Sequence, residues 1–101
     1  MPRYLIERPV RGARDLSPEE LAALARTWNE AVDSLGVPYR WVASFVAGDR
    51  IYCVHEAEDV EAVQEHARRI GITASVITEV TQEFGPEEAP QFAGPRTSVR
   101  P

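Results

Sequence analysis

The chain has 101 residues, a net charge of −5 and 44% hydrophobic residues, which suits one domain rather than two. It contains no lysine and its eleven arginines are scattered, so the clustered positive charge of a nucleic-acid-binding surface is not expected. A single cysteine excludes an internal disulfide. The chain has no apolar run of membrane-spanning length, and its first residues lack the apolar core expected of a signal peptide. We expect a small cytoplasmic protein that binds neither nucleic acid nor membranes.

The first third of the chain predicts a strand and then a helix. Residues 4–10 are rich in apolar and β-branched side chains, which favours a strand. Ser17-Pro18-Glu19-Glu20 is a capping box that starts a helix. Apolar residues then recur at helical spacing as far as Leu35, and Gly36 is expected to end the helix. Trp28 lies within this apolar stripe and is expected in the core.

The next segments predict a hairpin, a second helix and a last strand. Strands are expected over 39–46 and 51–56, joined by a tight turn. A second helix follows, capped near Glu58 or Asp59 and ended by Gly71, and a fourth strand is expected over 74–81. The order βαββαβ predicts an α+β, ferredoxin-like fold, in which two helices cover one face of a four-stranded antiparallel sheet.

The chain divides into a domain and a tail. Residues 1–84 form the predicted ferredoxin-like domain, whereas prolines and glycines interrupt residues 85–101. Phe84 and Phe92 are the side chains that could hold this tail against a surface or a partner subunit. Because the helices cover one face of the sheet, the other face is expected to pack against a second copy, as in a dimeric α/β barrel.

Strand alternation assigns side chains to the two faces of the sheet. The face under the helices is predicted to carry Tyr4, Ile6, Val42, Ser44, Val46, Ile51, Cys53, Val76, Thr78 and Val80. The open face is predicted to carry Leu5, Glu7, Trp41, Ala43, Phe45, Tyr52, Val54, Glu56, Ile77 and Glu79. With the strand order 4-1-3-2, three glutamates on neighbouring strands would lie beside an aromatic wall, as in a ligand pocket. Alternatively, these glutamates are solvated or pair with arginines such as Arg8 and Arg40. The predicted pocket residues are Glu7, Trp41, Ser44, Tyr52, Glu56 and Glu79.

The one cysteine and both histidines lie within fourteen residues of sequence. Cys53 and His55 point to the same side of a strand, and His66 lies about two turns into the following helix, near the level of Cys53. Imidazole and thiolate are ligands for zinc, copper and nickel, so Cys53, His55 and His66 are the candidate metal ligands. Two alternatives remain open. These residues can be a buried cysteine with core histidines, or a Cys-His nucleophile pair.

Several segments resemble a family of small bacterial ferredoxin-like proteins, some of which are described as nickel-binding. The resemblance covers roughly residues 2–81. The matching segments are Pro2-Arg3-Tyr4-Leu5-Ile6-Glu7-Arg8, Leu16-Ser17-Pro18-Glu19-Glu20-Leu21, Trp41-Val42-Ala43-Ser44-Phe45-Val46, Tyr52-Cys53-Val54, Glu56-Ala57, Glu65-His66-Ala67-Arg68-Arg69-Ile70-Gly71 and Thr78-Glu79-Val80.

The resemblance implies a ferredoxin-like fold, a homodimer of the dimeric α/β barrel type and binding of nickel or another divalent transition metal. The residues that match the family pattern at candidate positions are Glu7, Trp41, Ser44, Tyr52, Cys53 and His66. Two positions depart from it. His55 stands where tyrosine is common, and Glu58 stands where proline is common.

Together these observations favour a small cytoplasmic homodimer that binds a divalent transition metal, nickel above others, through carboxylate and imidazole groups. The alternative is a dimeric α/β barrel enzyme or binding protein that acts on a small hydrophobic molecule in the sheet-face pocket. In an enzyme of that type, Glu7, Glu56 or His66 would be the base. A third possibility is a purely structural or regulatory domain.

Overall fold

The structure is a computed structural model that describes residues 1–89. The strands are β1 (Arg3–Pro9), β2 (Tyr39–Ala47), β3 (Arg50–Ala57) and β4 (Val76–Val80), and the helices are α1 (Pro18–Ser34) and α2 (Val60–Ile70). All neighbouring strands are antiparallel, in the order β2-β3-β1-β4. The predicted α+β ferredoxin-like fold and its strand order are therefore confirmed.

Both helices begin and end at residues that the sequence marks. The Ser17 hydroxyl accepts a hydrogen bond from the Glu20 amide at 3.1 Å, and the Glu20 carboxylate accepts one from the Ser17 amide at 2.9 Å. At the start of α2, the Asp59 carboxylate accepts from the Ala62 amide at 3.0 Å. Gly71 ends α2 with φ of 72°, a left-handed conformation that glycine adopts without steric cost.

The core lies between the sheet and the two helices. Its buried apolar side chains come from the two central strands, β1 and β3, from both helices and from the loop before α1. They are Tyr4, Ile6, Ala13, Trp28, Ala31, Ile51, Cys53, Ala57, Val63 and Ala67. Trp28 is 2% exposed, which confirms its predicted place. Three polar side chains, Arg8, His55 and His66, are also fully buried there, although such residues usually remain near water.

A bulge in β2 changes the predicted faces of that strand. Trp41 pairs with His55 and Ala43 pairs with Val54, so Val42 is an extra residue between two adjacent pairs. An extra residue shifts the alternation of side chains by one position. Trp41 therefore lies under the helices rather than on the open face, and its predicted face is wrong. The residues after the bulge lie on the faces that the sequence predicted.

The predicted faces of β4 are reversed. Ile77 pairs with Ile6 and Glu79 pairs with Tyr4, so both lie on the helix side. Val76, Thr78 and Val80 consequently lie on the open face rather than under the helices. β4 carries apolar side chains at both alternating sets of positions, so its sequence pattern does not specify one face. Pairing with β1 decides the register instead.

Residues 81–89, which follow β4, are exposed apart from the half-buried Gly85. They contain a 3-10 turn over Pro86–Glu88, and Phe84 is 91% exposed. Phe92 lies outside the described residues. The predicted division into residues 1–84 and 85–101 stays a prediction. None of the helices within residues 1–89 has both the length and the apolar character needed to cross a membrane.

Candidate functional site

The predicted sheet-face pocket is divided between the two faces. Glu7, Tyr52 and Glu56 lie on the open face, whereas Trp41, Ser44 and Glu79 lie on the helix side. Glu7 is opposite Tyr52, and Glu56 is four residues further along β3, which is about 13 Å at 3.3 Å per residue. The three glutamates therefore do not form one crowded carboxylate group. Their predicted role in ligand binding stays a prediction.

Glu56 is held by arginines at one end of the open face. Its carboxylate contacts the Arg3 guanidinium at 2.8 Å and the Arg40 guanidinium at 3.4 Å. The hydrogen bond from Arg3 lowers the pKa of Glu56. Glu56 is thus an ion-paired carboxylate and a poor choice for a base. This outcome agrees with the alternative in which a glutamate pairs with Arg40.

On the helix side, β2 and β3 carry a short chain of hydrogen bonds. Trp41 Nε1 donates to Ser44 Oγ at 2.8 Å, and Ser44 Oγ donates to Cys53 Sγ at 3.0 Å. The Trp41 ring also packs against Trp28, with ring centroids 5.4 Å apart. The buried thiol of Cys53 therefore has a serine hydroxyl as its neighbour rather than a histidine base.

The two histidines meet in the core and share a tyrosine. The ring centroids of His55 and His66 are 5.2 Å apart, and Tyr39 lies 5.3 Å from each of them. The sequence placed His66 against the sheet and His55 on the same face as Cys53, and both positions are confirmed. Tyr39 was not predicted here, since it reaches the pair from β2, the neighbouring strand.

Burial keeps both imidazoles neutral. Desolvation, with smaller contributions from His66 and Arg8, lowers the pKa of His55 to about 3. Burial also lowers the pKa of His66, against the effect of its hydrogen bond to the Trp28 carbonyl. That bond, at 3.1 Å, requires the proton to be on His66 Nε2, because a carbonyl oxygen can only accept. Burial raises the pKa of Tyr39, so its hydroxyl keeps its proton and donates to His55 Nδ1.

The three predicted metal ligands do not form a metal site within one chain. Residues 1–89 contain no group of three or more His, Cys, Asp or Glu side chains that could hold a metal ion. One nitrogen of each imidazole is hydrogen-bonded, and the Cys53 thiol has Ser44 as its partner. Arg8 further disfavours positive charge at both histidines. A single chain therefore does not fit nickel at this cluster, and the metal role of Cys53, His55 and His66 stays a prediction.

The burial of Arg8 in the core was not predicted from the sequence. Arg8 continues the buried alternation of Tyr4 and Ile6 along β1, and its side chain is 0% exposed. Nη1 donates to the Ile72 carbonyl at 3.1 Å, and Cζ lies 5.3 Å from the centroid of the Trp28 ring. The alternation itself was the available signal. Arginine is so rarely buried that Arg8 was considered as a surface ion-pair partner instead.

An apolar cleft opens between α1 and the β2–β3 hairpin. It encloses about 400 Å³, and its lining includes Leu21, Leu24, Trp28, Trp41, Ser44 and Ile51. That volume lies within the range of small-molecule sites. Two members of the predicted pocket, Trp41 and Ser44, thus line a cleft on the helix side of the sheet.

Comparison with known proteins agrees with this architecture. The crystal structure of SCO4226 from Streptomyces coelicolor A3(2) superimposes with a TM-score of 0.65 at 22% sequence identity, covering 81% of this chain and 99% of that chain. No match is found among curated proteins. The family model described as "Nickel responsive protein SCO4226-like" matches residues 4–80, which include every strand and helix of the sheet domain apart from the first residue of β1. The chain therefore belongs to the SCO4226-like family of nickel responsive proteins.

Proposed function

We propose that this chain binds a divalent transition metal, nickel above others, as a homodimer. The observation that carries the proposal is the match of residues 4–80 to a family described as nickel responsive. The cluster of His55 and His66 does not supply a complete ligand set in one chain. The proposal therefore draws the metal ligands from two copies.

The open face of the sheet is the proposed dimer interface. It carries Leu5, Phe45 and Val76, which are 41%, 59% and 43% exposed, and no helix among residues 1–89 covers it. Fully burying one such side chain contributes about 1.5–3 kcal/mol. A second copy offers the same apolar face, so two copies can bury both faces at once.

We expect light scattering to give twice the chain mass of 11.3 kDa at micromolar concentration. Phe45→Asp should shift the protein to monomer, because it places a charge among the apolar side chains of the interface. Glu79→Gln, a change on the other face, serves as the control and should leave the dimer intact. A wild-type monomer at micromolar concentration would contradict the interface.

Glu7 is the proposed metal ligand on this interface. Its side chain is half-buried and lies between Leu5 and the β4 residue Val76, its cross-strand partner. In the proposed dimer the two-fold axis passes near Glu7, so that the Glu7 carboxylates of the two copies come together. Carboxylate oxygens ligate divalent transition metals, although they are harder ligands than imidazole.

We expect calorimetric titration of the untagged protein to show nickel binding, with Glu7→Gln weakening the affinity at least tenfold. His66→Ala tests the other predicted ligand. It should lower stability and leave nickel affinity unchanged if His66 is only a core residue. Glu65→Gln on the outer side of α2 is its control. Absence of nickel, by elemental analysis and by titration from pH 6 to 8, would remove the metal proposal.

The second candidate function is binding of a small apolar molecule. The observation that favours it is the cleft between α1 and the β2–β3 hairpin, which holds Trp41 and Ser44. The cleft replaces the sheet-face pocket as the place for such a ligand, since the structure separates Trp41 and Glu79 from Glu7 and Tyr52.

A further inference from the structure

We propose that the cleft between α1 and the β2–β3 hairpin binds a small carboxylic acid with an apolar body, and that Arg8 receives its carboxylate. This inference rests on the second candidate function and names the ligand class for it. Three features carry it: the hydrogen bonding of Arg8, its position behind the cleft, and the apolar lining of the cleft.

Arg8 is a buried cation that lacks a counter-charge among residues 1–89. Its guanidinium stays charged at any ordinary pH. Nη1 bonds to the Ile72 carbonyl, whereas Nε and Nη2 are buried and have no hydrogen-bond partner in the described part of the chain. Burying an uncompensated charge is strongly unfavourable. A ligand carboxylate would supply both the missing charge and the missing acceptors.

The two nitrogens concerned form one edge of the guanidinium, which we call the Arg8 edge. Two donors on one edge match the two oxygens of a carboxylate. Elsewhere in the same chain, the corresponding edge of an arginine binds a carboxylate. Arg3 Nε and Nη2 both donate to one oxygen, Oε2 of Glu56, at 3.2 and 2.8 Å. The Arg8 edge therefore has the donor arrangement that a carboxylate uses in this protein.

The Arg8 guanidinium lies against Trp28, one of the residues that line the cleft. Arg8 is directly opposite Ile51 on the neighbouring strand, and both side chains are buried on the helix side. Ile51 and Trp28 line the cleft, and the guanidinium stacks against the Trp28 ring at 5.3 Å. Trp28 Nε1 is a further buried donor that lacks a partner within residues 1–89. Arg8 does not itself line the cleft, so binding includes movement of a wall side chain.

The rest of the cleft defines the body of the ligand. Leucines and two tryptophan rings line it, and Ser44 is already hydrogen-bonded to Trp41 and Cys53. An apolar ring or short alkyl chain therefore suits it better than a sugar or a peptide. The expected ligand is a cyclic or short-chain carboxylic acid.

Intrinsic fluorescence reports on this cleft directly, because both tryptophans of the chain line it. Wild-type protein would be titrated with cyclohexanecarboxylate and with cyclohexanecarboxamide, which has the same body without the charge. We expect the carboxylate to bind at least tenfold more tightly. Arg8→Met should remove that preference, and Arg11→Met, the loss of an exposed arginine nearby, should keep it. Nitrogen-15 NMR should also show a downfield shift of the Arg8 Nε–H resonance in the wild type when the carboxylate binds.

The outcomes separate the inference from the function on which it rests. Equal binding of acid and amide would leave the cleft as a site for apolar molecules and would overturn the role of Arg8. No response to either probe at millimolar concentration would overturn both. Ala25→Phe, which fills the cleft without touching Arg8, should abolish binding of both probes. Retained carboxylate binding in that variant would place the site elsewhere. If Arg8→Met does not fold, the NMR shift in the wild type still decides the role of Arg8.

Discussion

Replacement of Trp28 by alanine is expected to lower the free energy of unfolding by about 3–5 kcal/mol, the usual cost of removing a large aromatic side chain from a core. Trp28 is 2% exposed and packs against Trp41. The same change also removes the aromatic ring that covers the Arg8 guanidinium. The substitution therefore creates a cavity and also removes a favourable cation–π contact from the buried Arg8 guanidinium.

Urea denaturation of the variant, at fixed protein concentration, measures this loss. Leu21→Ala is the matched control, because Leu21 is on the same helix and is 40% exposed. Its expected cost is about 1 kcal/mol or less, near the range for surface substitutions. Similar losses in the two variants would show that Trp28 is not central to the core. If Trp28→Ala is unfolded, Trp28→Phe should show a smaller loss in the same direction.

Acidification from pH 7 to pH 5 is expected to destabilise the fold by roughly 2 kcal/mol through His55 alone. The pKa of His55 is about 3 in the folded protein and 6.5 in an ordinary environment. Between these values the unfolded chain binds a proton that the folded chain does not. Stability is therefore full above pH 6.5 and declines as the pH falls toward 3. His66, whose pKa is also lowered, acts in the same direction.

The measurement is urea denaturation at pH 7, 6 and 5, above the range in which carboxylates such as Glu56 titrate. His55→Gln is the control variant, since a glutamine oxygen can still accept from the Tyr39 hydroxyl but cannot take up a proton in this range. The variant should lose less stability between pH 7 and 5 than the wild type. Parallel curves for the two proteins, or a flat wild-type curve, would show that His55 is not held neutral by the fold.

The features that the sequence predicted well are local ones. The capping box at Ser17, the left-handed Gly71 and the helical stripe through Trp28 each depend on residues a few positions apart. Short-range steric and hydrogen-bonding rules are sufficient for these. Strand order followed from the βαββαβ sequence of elements, because few arrangements of those elements are physically accessible.

The features that it did not predict depend on pairing between distant strands. β4 has apolar residues on both of its faces, and the contact between Ile77 and Ile6 selects one of them. The predicted site was affected directly, since Glu79 moved to the other face of the sheet from Glu7. Helix and strand spacing predicted that His66 and His55 lie close together under the helices. It did not predict that Tyr39 contacts both of them.

The bulge at Val42 has a consequence for how insertions and deletions act on this protein. Val42 separates a half of β2 that contributes Tyr39 and Trp41 to the core from a half whose Phe45 faces outward. Deleting Val42 would restore regular alternation, so one half of the strand would have to turn over. If the first half turns over, Tyr39 and Trp41 no longer face the histidines. If the second half turns over, Ser44 no longer faces Cys53. A change of one residue in length here would thus act like several simultaneous core substitutions, whereas the exposed hairpin turn at Gly48 and Asp49 can change length at lower cost.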